Sequence, residues 1–134
     1  MKKSGRSEPL TKPTGAELEI MCVLWSRGPC TVREVHDQLY RDEGGGYTNA
    51  LKLLQIMLAK GLVERDQAQR AHVYRAAVSK ERTQKRFLRD LVQKMFEGSS
   101  SKLVLQALGS QPPTRAELDE IRSLLNRLDS ESPP

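Results

Sequence analysis

The chain has 134 residues, of which 37% are hydrophobic, 4% aromatic and 29% charged. This suits one small domain with an appendage and excludes a large buried core. Seven Pro and nine Gly exclude collagen-like composition, and no apolar run approaches the roughly 20 residues of a membrane-spanning helix. Two cysteines make no disulfide framework, so the expected compartment is a reducing cytoplasm with no membrane partner. The net charge is +5 and is unevenly spread. Residues 1–79 carry 12 basic and 9 acidic side chains, residues 80–95 carry 6 and 2, and residues 96–134 carry 4 and 6. The first two thirds therefore suit a polyanionic partner, and the last third does not.

Residues 1–12 are polar and read as a loose arm. Their basic residues are followed by no apolar stretch, so a secretory signal is not expected. Thr14-Gly15-Ala16-Glu17 has the spacing of a capping box, in which hydroxyl and carboxylate each accept from the other's backbone N–H, and it opens a helix. Leu18, Met21, Cys22 and Trp25 recur at helical spacing and predict its buried stripe, with Cys22 as a small core residue. Gly28-Pro29 ends it. Cys30-Thr31 is too short for more than an edge bridge, and Cys30 is assigned to neither core nor surface.

Thr31-Val32-Arg33-Glu34 is a second capping box, and Val32, Val35 and Leu39 give the second helix a narrow apolar face. Gly44-Gly45-Gly46 reads as a flexible link. A third helix is expected over about residues 48–60, with Ala50, Leu53, Leu54, Met57 and Leu58 inward and Gly61 as its left-handed cap. Residues 62–66 and 71–75 then alternate as two strands, with His72 and Tyr74 outward and Val73 inward. Gln67-Ala68-Gln69-Arg70 forms the polar tip between them.

After Ser79 the pattern returns to helix. Phe87, Leu88, Leu91, Val92, Met95 and Phe96 mark a fourth helix closed by Gly98. Leu103, Val104, Ala107 and Leu108 mark a short fifth one, ended by Gly109 and Pro112-Pro113. Thr114-Arg115-Ala116-Glu117 is a third capping box. It opens a last helix with Leu118, Ile121, Leu125 and Leu128 in a coiled-coil-like seam, before a polar tail over 129–134. The expected fold is mainly α with a small β-hairpin. A winged helix-turn-helix spans 13–79, and a helical dimerisation region spans 80–128.

Three helices followed by a hairpin is the order of a winged helix-turn-helix, whose third helix enters the major groove. Here that helix starts with Tyr47, Thr48 and Asn49 and continues outward with Lys52 and Gln55. Asn and Gln match adenine, and Thr offers a hydroxyl and a methyl. Asn49 has a second reading, as a helix cap. Thr31 and Arg33 on the second helix, with Arg70, His72 and Arg75 on the wing, complete the expected DNA-facing set. Arg82, Lys85, Arg86 and Arg89 are either a second polyanion contact or a solvated helix face.

The C-terminal helices, each with a single apolar stripe, make a poor independent core. Burial against a second copy solves this and suits a palindromic site. The expected dimer contacts are Phe87, Leu91, Met95, Leu103, Val104, Leu118, Ile121, Leu125 and Leu128. The alternative is that these helices pack back on the first domain.

Catalytic and cofactor chemistry is not expected. The triple glycine lacks the Lys-Ser/Thr of a phosphate loop. His36, His72, Cys22 and Cys30 lack zinc-ligand spacing, and no serine has a triad pattern around it. No cofactor, metal or enzymatic activity is assigned. The leading function is a DNA-binding repressor; the alternative is a winged-helix scaffolding module, which would lack the steep salt dependence of DNA binding.

Glu17-Leu18-Glu19-Ile20-Met21, Leu24-Trp25, Gly28-Pro29 and Thr31-Val32-Arg33-Glu34-Val35 resemble the opening of the penicillinase-repressor family, the BlaI/MecI/CopY group. Tyr47-Thr48, Leu53-Leu54, Lys60-Gly61-Leu62-Val63 and Arg70-Ala71-His72-Val73-Tyr74 extend the match. So do Phe96, Gly98-Ser99, Leu103-Val104-Leu105, Leu118 and Ile121 to Leu125. The resemblance covers about residues 10–128 and implies a homodimeric winged-helix repressor on palindromic, double-stranded operator DNA.

Departures are specific. Thr48-Asn49-Ala50 stands where the family commonly has Thr-Thr-Val, and Ile56 stands where some members have an arginine. Members responsive to antibiotics are cleaved at an Asn-Phe pair, for which this chain has Gln106-Ala107. Those two residues are the candidate regulatory cleavage site, with a sensor protease as the implied partner. The Cys-x-Cys cluster of copper-responsive members has no counterpart after Cys30.

Overall fold

The computed structural model describes residues 12–42, 44–68 and 70–131. The chain divides into two compact units, Met1–Phe87 and Leu88–Pro134. The first holds α1 (Gly15–Arg27), β1 (Cys30–Thr31), α2 (Val32–Leu39), α3 (Gly46–Lys60), β2 (Val63–Asp66) and β3 (Val73–Ala76). Helix α4 (Lys80–Met95) runs from the first unit into the second, which continues with α5 (Ser100–Ser110) and α6 (Arg115–Glu131). The fold is mainly α with one small antiparallel sheet, ordered β1-β3-β2, as in a winged helix. The expected arm falls outside the described residues except for Lys12, whose ammonium lies 5.1 Å from the centroid of the Phe87 ring.

The capping boxes form wherever the sequence places them. Thr14, Thr31 and Thr114 each donate a backbone N–H to the glutamate three residues on, at 2.8–2.9 Å. Each threonine hydroxyl accepts the N–H of that glutamate at 3.2 Å. Two orphan donors are thereby satisfied at each helix start, which is why these starts are local properties of the sequence.

The core of the first unit gathers Ile20, Met21, Val23 and Leu24 of α1 with Val35, Ala50, Leu54, Met57, Leu62, Val63 and Tyr74. The phase of α1 differs from the expected stripe. Leu18 and Trp25 are half-buried and Cys22 is exposed. Helix α1 packs against α2, α3 and β3 at once, so a broad arc is covered and a single narrow stripe misjudges its centre. Trp25 keeps its polar end satisfied by donating its indole N–H to the Val78 carbonyl at 3.0 Å. The core cysteine is Cys30, whose thiol lies 3.3 Å from the Gly28 carbonyl. Burial, with the Glu34 carboxylate nearby, pushes that thiol's pKa up and keeps it protonated.

The wing pleat is also opposite to expectation at one position. Tyr74 is buried and Val73 only half-buried. Strand β1 joins β3 on the side away from β2, and Tyr74 pairs with Cys30 across that junction. Both side chains lie on the covered face of the sheet, so alternation places His72 with Tyr74 in register only nominally: His72 precedes the strand and is exposed. In the second unit α5 runs through Gly109, and Gln111 is its cap. Helix α6 continues to Glu131, which makes residues 129–131 helix instead of tail; 132–134 lie outside the described residues.

Helix α3 is fixed at both ends. Gly46 is its first residue and is buried, so the triple glycine is not a simple tether. A Cβ at position 46 would fall 2.7 Å from Tyr40 Cβ and 2.9 Å from the Tyr40 carbonyl oxygen. At the other end Lys60 donates to both oxygens of Glu17, at 2.8 and 3.0 Å. The Glu17 side chain is 3% exposed and that of Lys60 is 25% exposed. Burial alone would raise the Glu17 pKa, but the Lys60 ammonium and the Thr14 N–H together hold it below its ordinary value.

Two outcomes follow for stability. Gly46→Ala should destabilise by about 1–3 kcal/mol, the usual cost of forcing a carbon into a filled contact, and equilibrium urea unfolding measures it. Lys60→Met should cost about 3 kcal/mol at neutral pH by stranding the buried Glu17 carboxylate. Because the folded pKa of Glu17 is depressed, the pair stabilises above the unfolded value of about 4.3 and is lost as pH falls through the folded value. The gap between wild type and Lys60→Met should therefore narrow as pH falls from 7 to below the folded value of Glu17. A gap independent of pH would contradict the ion pair's role.

Candidate nucleic-acid interface

A helix turns about 100° per residue, which sorts α3 into two arcs. Gly46, Ala50, Leu54 and Met57 are buried, with Leu53 and Leu58 half-buried beside them. Thr48, Asn49, Lys52, Gln55, Ile56 and Ala59 share the other arc, and all are exposed. Ala50 has no exposed surface; its small side chain is accommodated on the inner arc. Of the outer residues only Lys52 is charged.

The cap of α3 is Gly45, at φ 75°, with no side-chain cap hydrogen bond. The Asn49 N–H donates to the Gly45 carbonyl at 3.1 Å, which places Asn49 at the fourth helical position. The capping alternative for Asn49 therefore does not hold. Its side chain stands on the exposed arc with Thr48, three residues before Lys52.

Tyr47 lies at the junction of α2 and α3. The Arg33 guanidinium stacks 4.8 Å from its ring centroid, and the His36 ring lies 6.1 Å away at a 60° tilt. This cation–π contact holds Arg33 of α2, which is exposed, against the first turn of α3. His36 is the member of this cluster that the sequence did not mark, because a histidine on a helix carries no distinguishing pattern.

The remaining expected contacts separate. Arg70 and His72 are exposed in the segment joining β2 to β3. Arg75 is exposed on β3 but faces Glu64 in register on β2, with nitrogen-to-oxygen distances of 2.9 and 3.1 Å. Thr31 is half-buried, and its hydroxyl serves the cap of α2. Thr48, Asn49, Lys52 and Gln55 thus share one exposed arc, Arg33 lies against Tyr47 of the same helix, and Arg75 and Thr31 have structural partners. Ile56 and Ala59 on the same arc were missed, since apolar residues give no sequence signal for nucleic acid.

In the second unit Leu91, Met95, Val104 and Leu125 are exposed at 41, 69, 45 and 55%, and Leu128 is exposed as well. Leu103, Leu118 and Ile121 are half-buried. Leu88, Leu105 and Leu124 are further exposed apolar residues there, outside the expected dimer-contact set. Phe87 is half-buried at the end of the first unit. Gln106 and Ala107 are exposed within α5. Among the described residues no group of three or more His, Cys, Asp or Glu is placed to hold a metal ion, and no helix is long and apolar enough to cross a membrane.

Comparison with known protein families matches residues 13–127 to the family described as Penicillinase repressor. The chain belongs to the penicillinase repressor family. The match covers both units, and the family is one of DNA-binding transcriptional regulators. Similar proteins include the methicillin resistance regulatory protein MecI of Staphylococcus aureus (strain N315), of Staphylococcus epidermidis and of Mammaliicoccus sciuri. Each is 18% identical to this chain over 114 residues, which span 85% of this chain and 93% of the relative.

Proposed function

We propose that this penicillinase repressor family chain is a homodimeric transcriptional repressor that binds palindromic operator DNA in the cytoplasm and performs no catalysis. The observation that carries the reading is the outer arc of α3. It sets Thr48, Asn49, Lys52 and Gln55 side by side in solvent while the inner arc is locked in the core. Asn49 and Gln55 offer the paired donor and acceptor that adenine matches in the major groove, and Lys52 reaches a guanine or a phosphate. Arg33 and Arg70 serve as phosphate contacts that set position without reading sequence. Arg75, with its charge shared with Glu64, contributes less.

Homodimerisation is supported by the makeup of the second unit. None of the described residues of α5 or α6 is buried, yet both helices carry leucines at helical spacing. Helices without a buried face derive little stability from themselves. A second copy supplies the missing apolar surface and also a two-fold axis for two half-sites. Gln106 and Ala107 sit inside the hydrogen-bonded α5, so cleavage there would require α5 to unwind first.

The test is a pair of variants. Asn49→Ala should lower the ratio of operator to random-DNA affinity by the roughly 1–3 kcal/mol of one bidentate base contact and leave the melting temperature unchanged. Arg70→Ala should weaken binding to all sequences alike and flatten the log-log salt slope by about one. An unchanged affinity ratio in Asn49→Ala would contradict base reading by this arc.

A further inference from the structure

We propose that Ile56 reads a thymine methyl group in each operator half-site. This rests on the reading of α3 as the helix in the major groove. Ile56 is 38% exposed and stands on the outer arc, about 20° around the helix from Asn49 and about 40° from Lys52. It therefore faces whatever those two polar side chains face.

Ile56 is not part of the core of the first unit, which closes over the opposite arc. It leaves apolar surface in water beside a lysine and a glutamine. The thymine C5-methyl is the apolar group that base edges present in the major groove, and it is the chemical complement of such a side chain. Ile56 also suits the task sterically, because a β-branched residue in a helix keeps nearly one rotamer and loses little freedom on contact.

Position defines which base is met. Seven residues separate Asn49 from Ile56, a rise of about 10.5 Å along the helix. Ile56 thus contacts a different base pair from the one Asn49 meets, and it extends the half-site beyond the reach of the polar side chains at the helix start. Ala59, one turn further on and also exposed, continues a strip of methyl groups. The strip is one isoleucine and one alanine wide, far below the roughly 800 Å² per partner of a stable protein interface. A row of base edges is the occupant it fits.

The experiment begins with selection of a binding site from a random-sequence duplex pool by the full-length protein. Each thymine of the selected site is then replaced in turn by deoxyuridine, which pairs identically and lacks the methyl. At one thymine per half-site the wild type should lose about fourfold in affinity, the effect of burying one methyl group. Ile56→Ala should bind the thymine duplex more weakly by a similar factor and lose nothing further at that position. Ile56→Val, which keeps the branched methyls, should retain the sensitivity. A wild type indifferent to every replacement, or an Ile56→Ala protein as sensitive as wild type at each position, would overturn the methyl contact while leaving a sequence-reading α3. Failure to enrich any sequence would overturn the DNA reading itself.

Discussion

The contact between Gly46 and Tyr40 governs the geometry on which everything else depends. A Cβ at position 46 would fall 2.7 Å from Tyr40 Cβ and 2.9 Å from the Tyr40 carbonyl oxygen, so no side chain fits there without a shift. The start of α3 is therefore pressed against the end of α2, and the rotation of α3 about its own axis is set. With the Lys60 ammonium clamped to Glu17 at the far end, the helix can neither roll nor slide without breaking a packed contact or stranding a buried charge. The division of α3 into an inner arc of Ala50, Leu54 and Met57 and an outer arc running from Thr48 to Ala59 follows from those two anchors. A base-reading surface needs this rigidity, since a bidentate contact tolerates little displacement.

The two units are stabilised differently. The first has a closed interior built from α1, α2, α3 and the sheet, and it includes the buried Tyr74 and Cys30. The second has helices with well-formed ends, seen in the Ser99 and Thr114 caps, but none of the described residues of α5 or α6 is buried. Good caps and helical spacing make helices; they do not make a core. Charge follows the same division. The first unit carries 16 basic and 10 acidic side chains and the second 6 and 7, so the surplus positive charge that would attract a polyanion lies on the first.

What was legible in the sequence was what is local. Each Thr-x-x-Glu box is decided within four residues, and each one forms. The order of three helices, a hairpin and three more helices was readable for the same reason, and Gly61 takes the left-handed conformation expected of it, at φ 83°. What was not legible depends on neighbours distant in sequence. The covered arc of α1 is set by three elements packing on it, so Cys22 was placed inside and Ile20 overlooked. The inward turn of Tyr74 is set by β1, a strand of two residues that sequence marks only as a bridge. The role of Gly46 is a contact with Tyr40 that a run of glycines conceals. Asn49 stood between two readings because the true cap, Gly45, has no side chain to announce it. Ile56 is marked in the sequence only as standing where some family members have an arginine, because exposure of an apolar residue is visible in structure alone.

The central claim is that a dimer presents two copies of α3 to successive major grooves on one side of the duplex. It is tested most directly by the affinity of the full-length protein for a selected palindrome whose halves are moved apart by about five base pairs, half a helical turn. That insertion carries the second half-site to the opposite side of the DNA. The account predicts that affinity falls to near the random-DNA level and that an insertion of a full turn, about ten base pairs, restores the facing of the two halves. Affinity unchanged by the half-turn insertion, with one chain bound per half-site, would contradict it.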